Sequence, residues 1–509
     1  MIARKSALII ATNILNGILG YVALFFITRY MAPADYGIVA FAIGFVTLFS
    51  VFGKLGFEQA HIKRVSEGKD IGTCIGTYLT TKIVIIGLTI FVVLGVIFFW
   101  KFVIGRGFET PTHELAIYII IGFFAARLFA QSIASTFKAK KEIAKVRTPL
   151  LLGELTRVVF TIYVALAGYG ALALAATYFA GEVVHFLLGL FLFRKYPIKR
   201  PSRDCFKDYS KFAIPLIVVV TCSTIMTNID KVLIQLFWSA ADVGYYFAGF
   251  NLSRFINMFT MAIGTLLFPT FSILHTNKNI KRIRQLTFQS ERYLSMIVFP
   301  MVFGIVVLAE PTSRILLSGW IPSVPILQIL PFFVLLSALE RPYQSQFLGM
   351  NRPKLARNRV VIMVIFNVIL NIILIPKDIQ MFGLNLGGLG AKGAAIATAV
   401  SYGVGLVYSR IMAWKLTQIK GNPRILLHAL SAILMAAIIY ILLYWLDIIE
   451  LIKRWYHLLG ISFLGLGIYL GFMFIFKEFT KDDFYFLIDT LNIKKMFIYI
   501  KEELMGGEK

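Results

Sequence analysis

Apolar runs of roughly 20 residues recur along nearly the whole of this 509-residue chain. Each is long enough for one α-helix to cross the hydrocarbon core of a bilayer. Only 15% of the residues are charged and 58% are hydrophobic, whereas about a quarter are charged in an ordinary soluble domain. The runs are continuous, not alternating, so transmembrane strands are not expected. The pattern predicts an all-α polytopic membrane protein with about 14 spans.

In the first half the spans lie near Ala7–Tyr30, Tyr36–Phe52, Gly76–Trp100, Glu114–Phe137, Pro149–Gly168 and Gly170–Phe193. In the second half they lie near Phe212–Phe237, Tyr245–Phe271, Tyr293–Leu317, Pro325–Phe347, Val360–Pro376 and Gly393–Trp414. Two more follow, near Ile425–Leu446 and His457–Phe476. The first run is too long for a signal-peptide core and is read as a retained helix.

The net charge of +25 is placed in alternate loops. That is the positive-inside pattern and not a nucleic-acid surface. Clusters such as Lys138, Lys140, Lys141, Lys145 and Arg147, or Lys281, Arg282 and Arg284, mark the cytoplasmic side. Both termini are then cytoplasmic, in a multi-pass protein of the cell membrane. Cys74, Cys205 and Cys222 show no paired spacing, so neither a disulfide framework nor a metal site is expected.

A short phrase occurs twice. Ala34-Asp35-Tyr36-Gly37 follows the first span, and Ala241-Asp242-Val243-Gly244 follows the seventh. Arg157-Val158-Val159 returns as Arg359-Val360-Val361. Echoes at such long spacing point to two copies of one multi-helix unit, each with an even number of spans, which makes the repeat parallel. The expected organisation is a six-helix lobe over 1–200, a second over 201–420, helices 13 and 14 over 421–478, and a cytoplasmic tail over 479–509. In that tail Thr480 and Asp483, then Phe484, Leu487 and Leu491, predict an amphipathic helix.

Further residues carry a family resemblance. The seventh span opens with Phe212-Ala213-Ile214-Pro215-Leu216 and holds Asn228-Ile229-Asp230-Lys231; the eighth ends in Leu267-Phe268-Pro269-Thr270-Phe271-Ser272. The eleventh reads Leu370-Asn371-Ile372-Ile373-Leu374-Ile375-Pro376, and the twelfth begins Gly390-Ala391-Lys392-Gly393-Ala394-Ala395. In this order the series resembles the polysaccharide-transporter, or O-antigen flippase, branch of the multidrug/oligosaccharidyl-lipid/polysaccharide exporter superfamily. The resemblance implies a MATE-like fold, two six-helix lobes around a V-shaped cavity, plus two C-terminal helices. It also implies a substrate, an oligosaccharide on a polyprenyl phosphate or pyrophosphate, carried from the cytoplasmic to the outer leaflet by alternating access. The expected partners are that lipid, the bilayer and glycan-assembly enzymes, around a monomer without cofactor.

A charge at the bilayer centre costs about 2.5–3.5 kcal/mol on insertion scales, so each one needs a reason. Arg127 lies mid-span and Arg254 well inside the eighth span, neither with an obvious local partner. With Arg157 and Lys231 they are the candidates for a cationic cavity, since guanidinium forks suit phosphate oxygens. Arg157 could instead neutralise Glu154 three residues before it. Asp230 is a possible gate, and Glu182 with His185 a possible ion site or a plain hydrogen bond. Lys82 and Arg410 are expected to snorkel to the headgroups, and His61 to sit near a loop without a special role.

Three rival functions stand beside this one. A cation-coupled multidrug exporter and a lipid II flippase are transporters of related build. A membrane-embedded glycan polymerase or ligase belongs to another class. It needs a sizeable outer loop with acid/base groups, and the loop around Lys377–Lys392 is Gly-rich and short. No nucleophile elbow, phosphate-cradling loop or metal cluster is found, so no catalysis is expected.

Overall fold

The computed structural model describes residues 2–478 apart from 51–55, 69, 104, 106 and 380–383. The expected amphipathic tail helix lies outside the described residues. The chain folds as two compact units, Met1–Gly244 and Tyr245–Lys509. This division reports packing, whereas the boundary at residue 200 rests on repeated sequence and remains a proposal about the repeat.

Unit 1 contains α1 (Ile2–Tyr30), α2 (Pro33–Phe49), α3 (Phe57–Ser66), α4 (Ile71–Phe98), α5 (Pro111–Ala139), α6 (Ile143–Leu166), α7 (Ala171–Phe193) and α8 (Arg203–Phe237). Helices α5, α6 and α7 pack on one another, α1 lies against α6, and α2 rests on α5 and α8. The division falls inside α9 (Ala240–Arg254).

Unit 2 continues with α10 (Ile256–Thr276), α11 (Ile280–Val307), α12 (Ala309–Leu316), α13 (Val324–Ile329), α14 (Pro331–Gly349), α15 (Pro353–Leu374) and α16 (Gly390–Thr417). Its centre is α14, which packs on α10, α11 and α16. The added helices α17 (Arg424–Tyr444) and α18 (Trp455–Ile475) pack against each other and α11. Leu308, Ile439, Leu443 and Ile461 form their shared apolar core.

Twelve of the described helical segments are long and apolar enough to cross a membrane. The other two expected spans differ in detail. α2 is a 17-residue apolar helix. The eighth span divides into α9 and α10 at Phe255, whose own dihedrals, φ −52° and ψ −40°, stay helical. The loop before α16, outside the spans, contains a small hairpin, β1 (Asp378–Ile379) with β2 (Leu384–Asn385).

Several helices stop in the same way. Lys141, Lys278 and Asn351 adopt φ of 59°, 53° and 58° just past α5, α10 and α14. At each end the following amide reaches back to close the last turn: Glu142 to Phe137, Asn279 to Leu274 and Arg352 to Phe347, at 2.8–3.0 Å. These are Schellman-type stops, which satisfy carbonyls that would otherwise be orphaned.

Each copy of the repeated phrase opens a helix. Pro33 starts α2, so Asp35 and Gly37 lie in its first turns, and Asp242 and Gly244 do the same in α9. A Cβ on Gly37 would stand 1.7 Å from the Ala240 carbonyl oxygen, and one on Gly244 would stand 2.1 Å from that of Pro33. The two copies therefore cross backbone to backbone. Asp35 also accepts a 3.0 Å bond from the Ala171 amide at the start of α7, and Asp242 accepts from the Ser239 hydroxyl at 2.6 Å.

Candidate functional site

Helix geometry decides which intramembrane charges neutralise one another. On α6, Glu154 and Arg157 are one turn apart and pair through two bonds, one of 3.0 Å from Nε. The Arg157 guanidinium also lies 4.8 Å from the Tyr178 ring centre. On α7, Glu182 and His185 bond at 2.7 Å. The two helices cross where Gly153 faces His185 and Gly181 faces Arg157, each leaving room for the other helix's side chain. Two Gly-Glu-x-x-base segments thus meet in one polar node.

Asp230 and Lys231 are both buried in unit 1. Lys231 Nζ donates to Asn228 Oδ1 at 2.9 Å, and Gly44 of α2 packs on its Cβ. Lys82 was expected at the headgroups. It is instead only 4% exposed, with its ammonium 5.7 Å from the Tyr78 ring centre, because it lies on the face of α4 turned into the unit. Arg410 is also drawn inward, donating to the fully buried Glu291 at 2.7 Å.

Unit 2 contains charged pairs that the reading of the sequence passed over. Glu291-Arg292 on α11 and Glu340-Arg341 on α14 look self-neutralising as dipeptides. Neighbours on a helix point about 100° apart and do not face each other. Glu291 takes Tyr343 and Arg410, both at 2.7 Å, while Arg292 binds Glu478 at 2.6 Å. Glu340 takes Arg359 and, at 3.1 Å, Ser409, while Arg341 reaches Asn257 Oδ1 at 3.0 Å. The usable signal was the dipeptide itself, set inside an apolar run.

Against those four paired arginines, Arg127 and Arg254 stand out. Both are exposed. Each guanidinium has a phenylalanine one turn earlier, Phe123 at 5.5 Å and Phe250 at 5.4 Å from ring centre. Among the described residues neither has a carboxylate within salt-bridge distance. Arg254 is the last residue of α9, next to the interruption at Phe255 and within the eighth span. The interruption is local: Phe255 keeps helical dihedrals, φ −52° and ψ −40°, and its amide donates to the Leu252 carbonyl at 3.1 Å.

Two further features were not foreseen. Cys74 and Cys205, 131 positions apart, have sulfurs 3.9 Å apart. His61, expected to be unremarkable, is fully buried: it stacks on Tyr78 at 4.2 Å and bonds Tyr209 at 3.0 Å and Thr136 at 2.9 Å. Among the described residues no three His, Cys, Asp or Glu side chains group as a metal site.

The likeness to known proteins agrees with this architecture. The chain covers 98% of a lipid II flippase, MurJ, in an inward closed conformation, with a TM-score of 0.71 over 92% of its own length at 16% identity. It covers 96% of an inward-facing MATE-family multidrug transporter of the MOP superfamily, at TM-score 0.62 over 79% of its own length and 16% identity. These likenesses establish the fold. In sequence it is 24% identical over 411 residues, 80% of its length and 82% of the relative, to the probable low-salt glycan biosynthesis flippase Agl15 of Haloferax volcanii. It is 22% identical, over 61% of its length and 62% of the relative, to the succinoglycan biosynthesis transport protein ExoT of Rhizobium meliloti. The sequence profile described as "Polysaccharide biosynthesis protein" matches residues 26–325, more than half of the chain, and the chain therefore belongs to that family.

Proposed function

We propose that this protein is a flippase that carries an oligosaccharide linked to a polyprenyl phosphate or diphosphate from the cytoplasmic to the outer leaflet of the cell membrane. The family, the fold and a glycan flippase among its relatives support transport of a lipid-linked glycan. One structural observation, made separately in each unit, carries the candidate residues. Arg127 in unit 1 and Arg254 in unit 2 have no protein counter-charge within salt-bridge distance among the described residues, whereas Arg157, Arg292, Arg359 and Arg410 are paired.

An uncompensated guanidinium in a span is costly for folding and useful for an anion. It lowers the barrier for a phosphate headgroup while the polyprenyl tail stays in lipid, and its planar donors match two phosphate oxygens. Arg157 and Lys231 are better suited to hold the scaffold, because Glu154 and Asn228 already engage them. Glu182 with His185 remains a proposed site for a coupled proton or cation, and Asp230 a proposed gate. The basic loops support a cytoplasmic position for both termini.

The test uses a cell whose surface glycan depends on this protein. Arg127→Gln and Arg254→Gln, inserted at wild-type levels, are each expected to reduce surface glycan about tenfold or more, the value of a charge-assisted hydrogen bond. The lipid-linked precursor should accumulate on the cytoplasmic leaflet. Full surface glycan in both variants would overturn the site.

A further inference from the structure

Arg341 is a further intramembrane arginine that has no carboxylate within 4 Å among the described residues. It lies on α14, within the span Ile321–Gly349. Its sequence neighbour Glu340 is only 3% exposed and is engaged by Arg359 and Ser409. No other carboxylate among the described residues comes within 4 Å of the Arg341 guanidinium. Among the described residues its hydrogen bond runs from Nη2 to Asn257 Oδ1, and its Nε is buried without an acceptor. A guanidinium has five donors, so most of its capacity is unused.

Asn257 connects this arginine to the break in the eighth span. It is the second residue of α10, three positions past Arg254 at the end of α9. An aromatic series links the same elements. Phe250, under the Arg254 guanidinium, stacks on Phe333 of α14 at 5.5 Å, and Phe333 meets Tyr402 of α16 at 5.3 Å. Both arginines are therefore fixed to one packed framework inside unit 2. Asn257 is suited to its role because its amide oxygen orients a guanidinium without neutralising it. An aspartate there would hold Arg341 more tightly and remove its charge from use.

We propose that Arg341 is a second phosphate-binding arginine of unit 2, positioned by Asn257, and that it acts with Arg254 on the phosphate linkage of the lipid carrier. The proposal rests on the flippase reading and adds a residue and a positioning group to it.

The test measures binding of undecaprenyl phosphate, undecaprenyl diphosphate and neutral undecaprenol to the purified full-length protein in nanodiscs. Wild type should prefer the phosphorylated lipids, with affinity that falls as salt rises. Arg341→Gln should weaken both phosphorylated lipids about tenfold or more and leave undecaprenol unchanged. A larger loss on the diphosphate means that Arg254 and Arg341 take separate phosphates; equal losses mean that they share one. Asn257→Asp separates positioning from structure: its thermal midpoint should equal or exceed that of wild type, while phosphorylated-lipid binding falls as far as in Arg341→Gln. Arg341→Lys should recover part of the affinity, since it restores charge without the planar fork. If Arg341→Gln fails to fold, Asn257→Asp and Arg341→Lys decide the matter. Wild-type affinity in Arg341→Gln, or in a stable Asn257→Asp, overturns the inference and leaves the flippase reading in place as long as Arg254→Gln loses affinity. A wild type that binds undecaprenol as well as its phosphates overturns the flippase reading itself.

Discussion

His61 shows how a single side chain can tie together segments that are far apart in sequence. Its ring lies flat on Tyr78 of α4, one nitrogen meets the Tyr209 hydroxyl of α8, and the other meets Thr136 of α5. Tyr209 also donates to the Cys74 carbonyl at 3.3 Å, so it can accept from the ring while Thr136 donates to it. A neutral imidazole, with one donor and one acceptor, meets that need. Burial pushes His61 from the ordinary 6.5 down to about 3. The folded state thus binds this proton less tightly than the unfolded state. The contribution to stability is complete above pH 6.5 and is lost progressively as pH falls toward 3, by at most about 1.4 kcal/mol per unit. The thermal midpoint of the solubilised protein should decline over that window. In His61→Gln, which keeps a donor and an acceptor but cannot titrate, the decline should be shallower; identical slopes would remove His61 from the account. Little of this was legible in the sequence, where a histidine beside a loop has no periodic signal. Glu154 and Arg157 were legible, because i,i+3 spacing is a local property of one helix. Glu291 and Glu340 were not, since their partners Arg410 and Arg359 come from other helices.

At the scale of the element, the twice-occurring phrase gains a physical cause. Gly37 and Gly244 allow the first turns of α2 and α9 to cross with backbone against backbone, and the atoms that a Cβ would meet are carbonyl oxygens that cannot rotate away. Gly37→Ala and Gly244→Ala should each therefore cost several kcal/mol, of the order seen for overpacking in a close-packed core or beyond it. The matched control is Gly87→Ala or Gly95→Ala on α4, where nothing lies within 4 Å of the added methyl. Those should be neutral or slightly stabilising through helix propensity. Thermal midpoints of the four variants check the contrast, and equal tolerance at Gly37 and Gly87 would refute the crossing. The sequence made the repeat visible but not its use. Two glycines about 200 residues apart carry no period that links them, and only the packing of α2 with α9 shows why both must lack a side chain. The helix-ending residues are similar: a run of apolar residues locates the end of α10 or α14 to within a few positions, and the left-handed Lys278 or Asn351 then sets it.

For the molecule as a whole, the remaining issue is how often the chain crosses the membrane. Hydropathy predicts about 14 spans, and twelve of the described segments meet a strict length and hydropathy test. The count therefore depends on α2, which is short, and on α9 with α10, which are interrupted at Phe255. A 17-residue helix is about 25 Å long, enough for a thin or locally thinned bilayer. The broken pair totals more than a bilayer thickness, and Arg254 at its break has a reason to be there if a polar headgroup passes it. The basic residues supply an independent argument. Lys278, Lys281, Arg282 and Arg284 follow α10, and such a cluster belongs on the cytoplasmic side. That holds if both α2 and the α9–α10 pair cross or if neither does, and the cluster Lys138, Lys140, Lys141, Lys145 and Arg147 after α5 is cytoplasmic only if α2 crosses, so the two clusters together require both. Single cysteines introduced in a variant lacking Cys74, Cys205 and Cys222 make this measurable with a membrane-impermeant maleimide on intact cells. Gly168→Cys and Asp447→Cys should label from outside, while Lys278→Cys and Asn351→Cys should label only after the membrane is opened. If Lys278→Cys labels from outside while Gly168→Cys also does, the broken pair enters and leaves by the same face. Every loop after it then changes side, and the cytoplasmic C-terminus is wrong. The protected pattern would instead make the break a discontinuity within a true crossing. In that case Arg254 lies inside the crossing, which is what its proposed role toward an anionic headgroup requires.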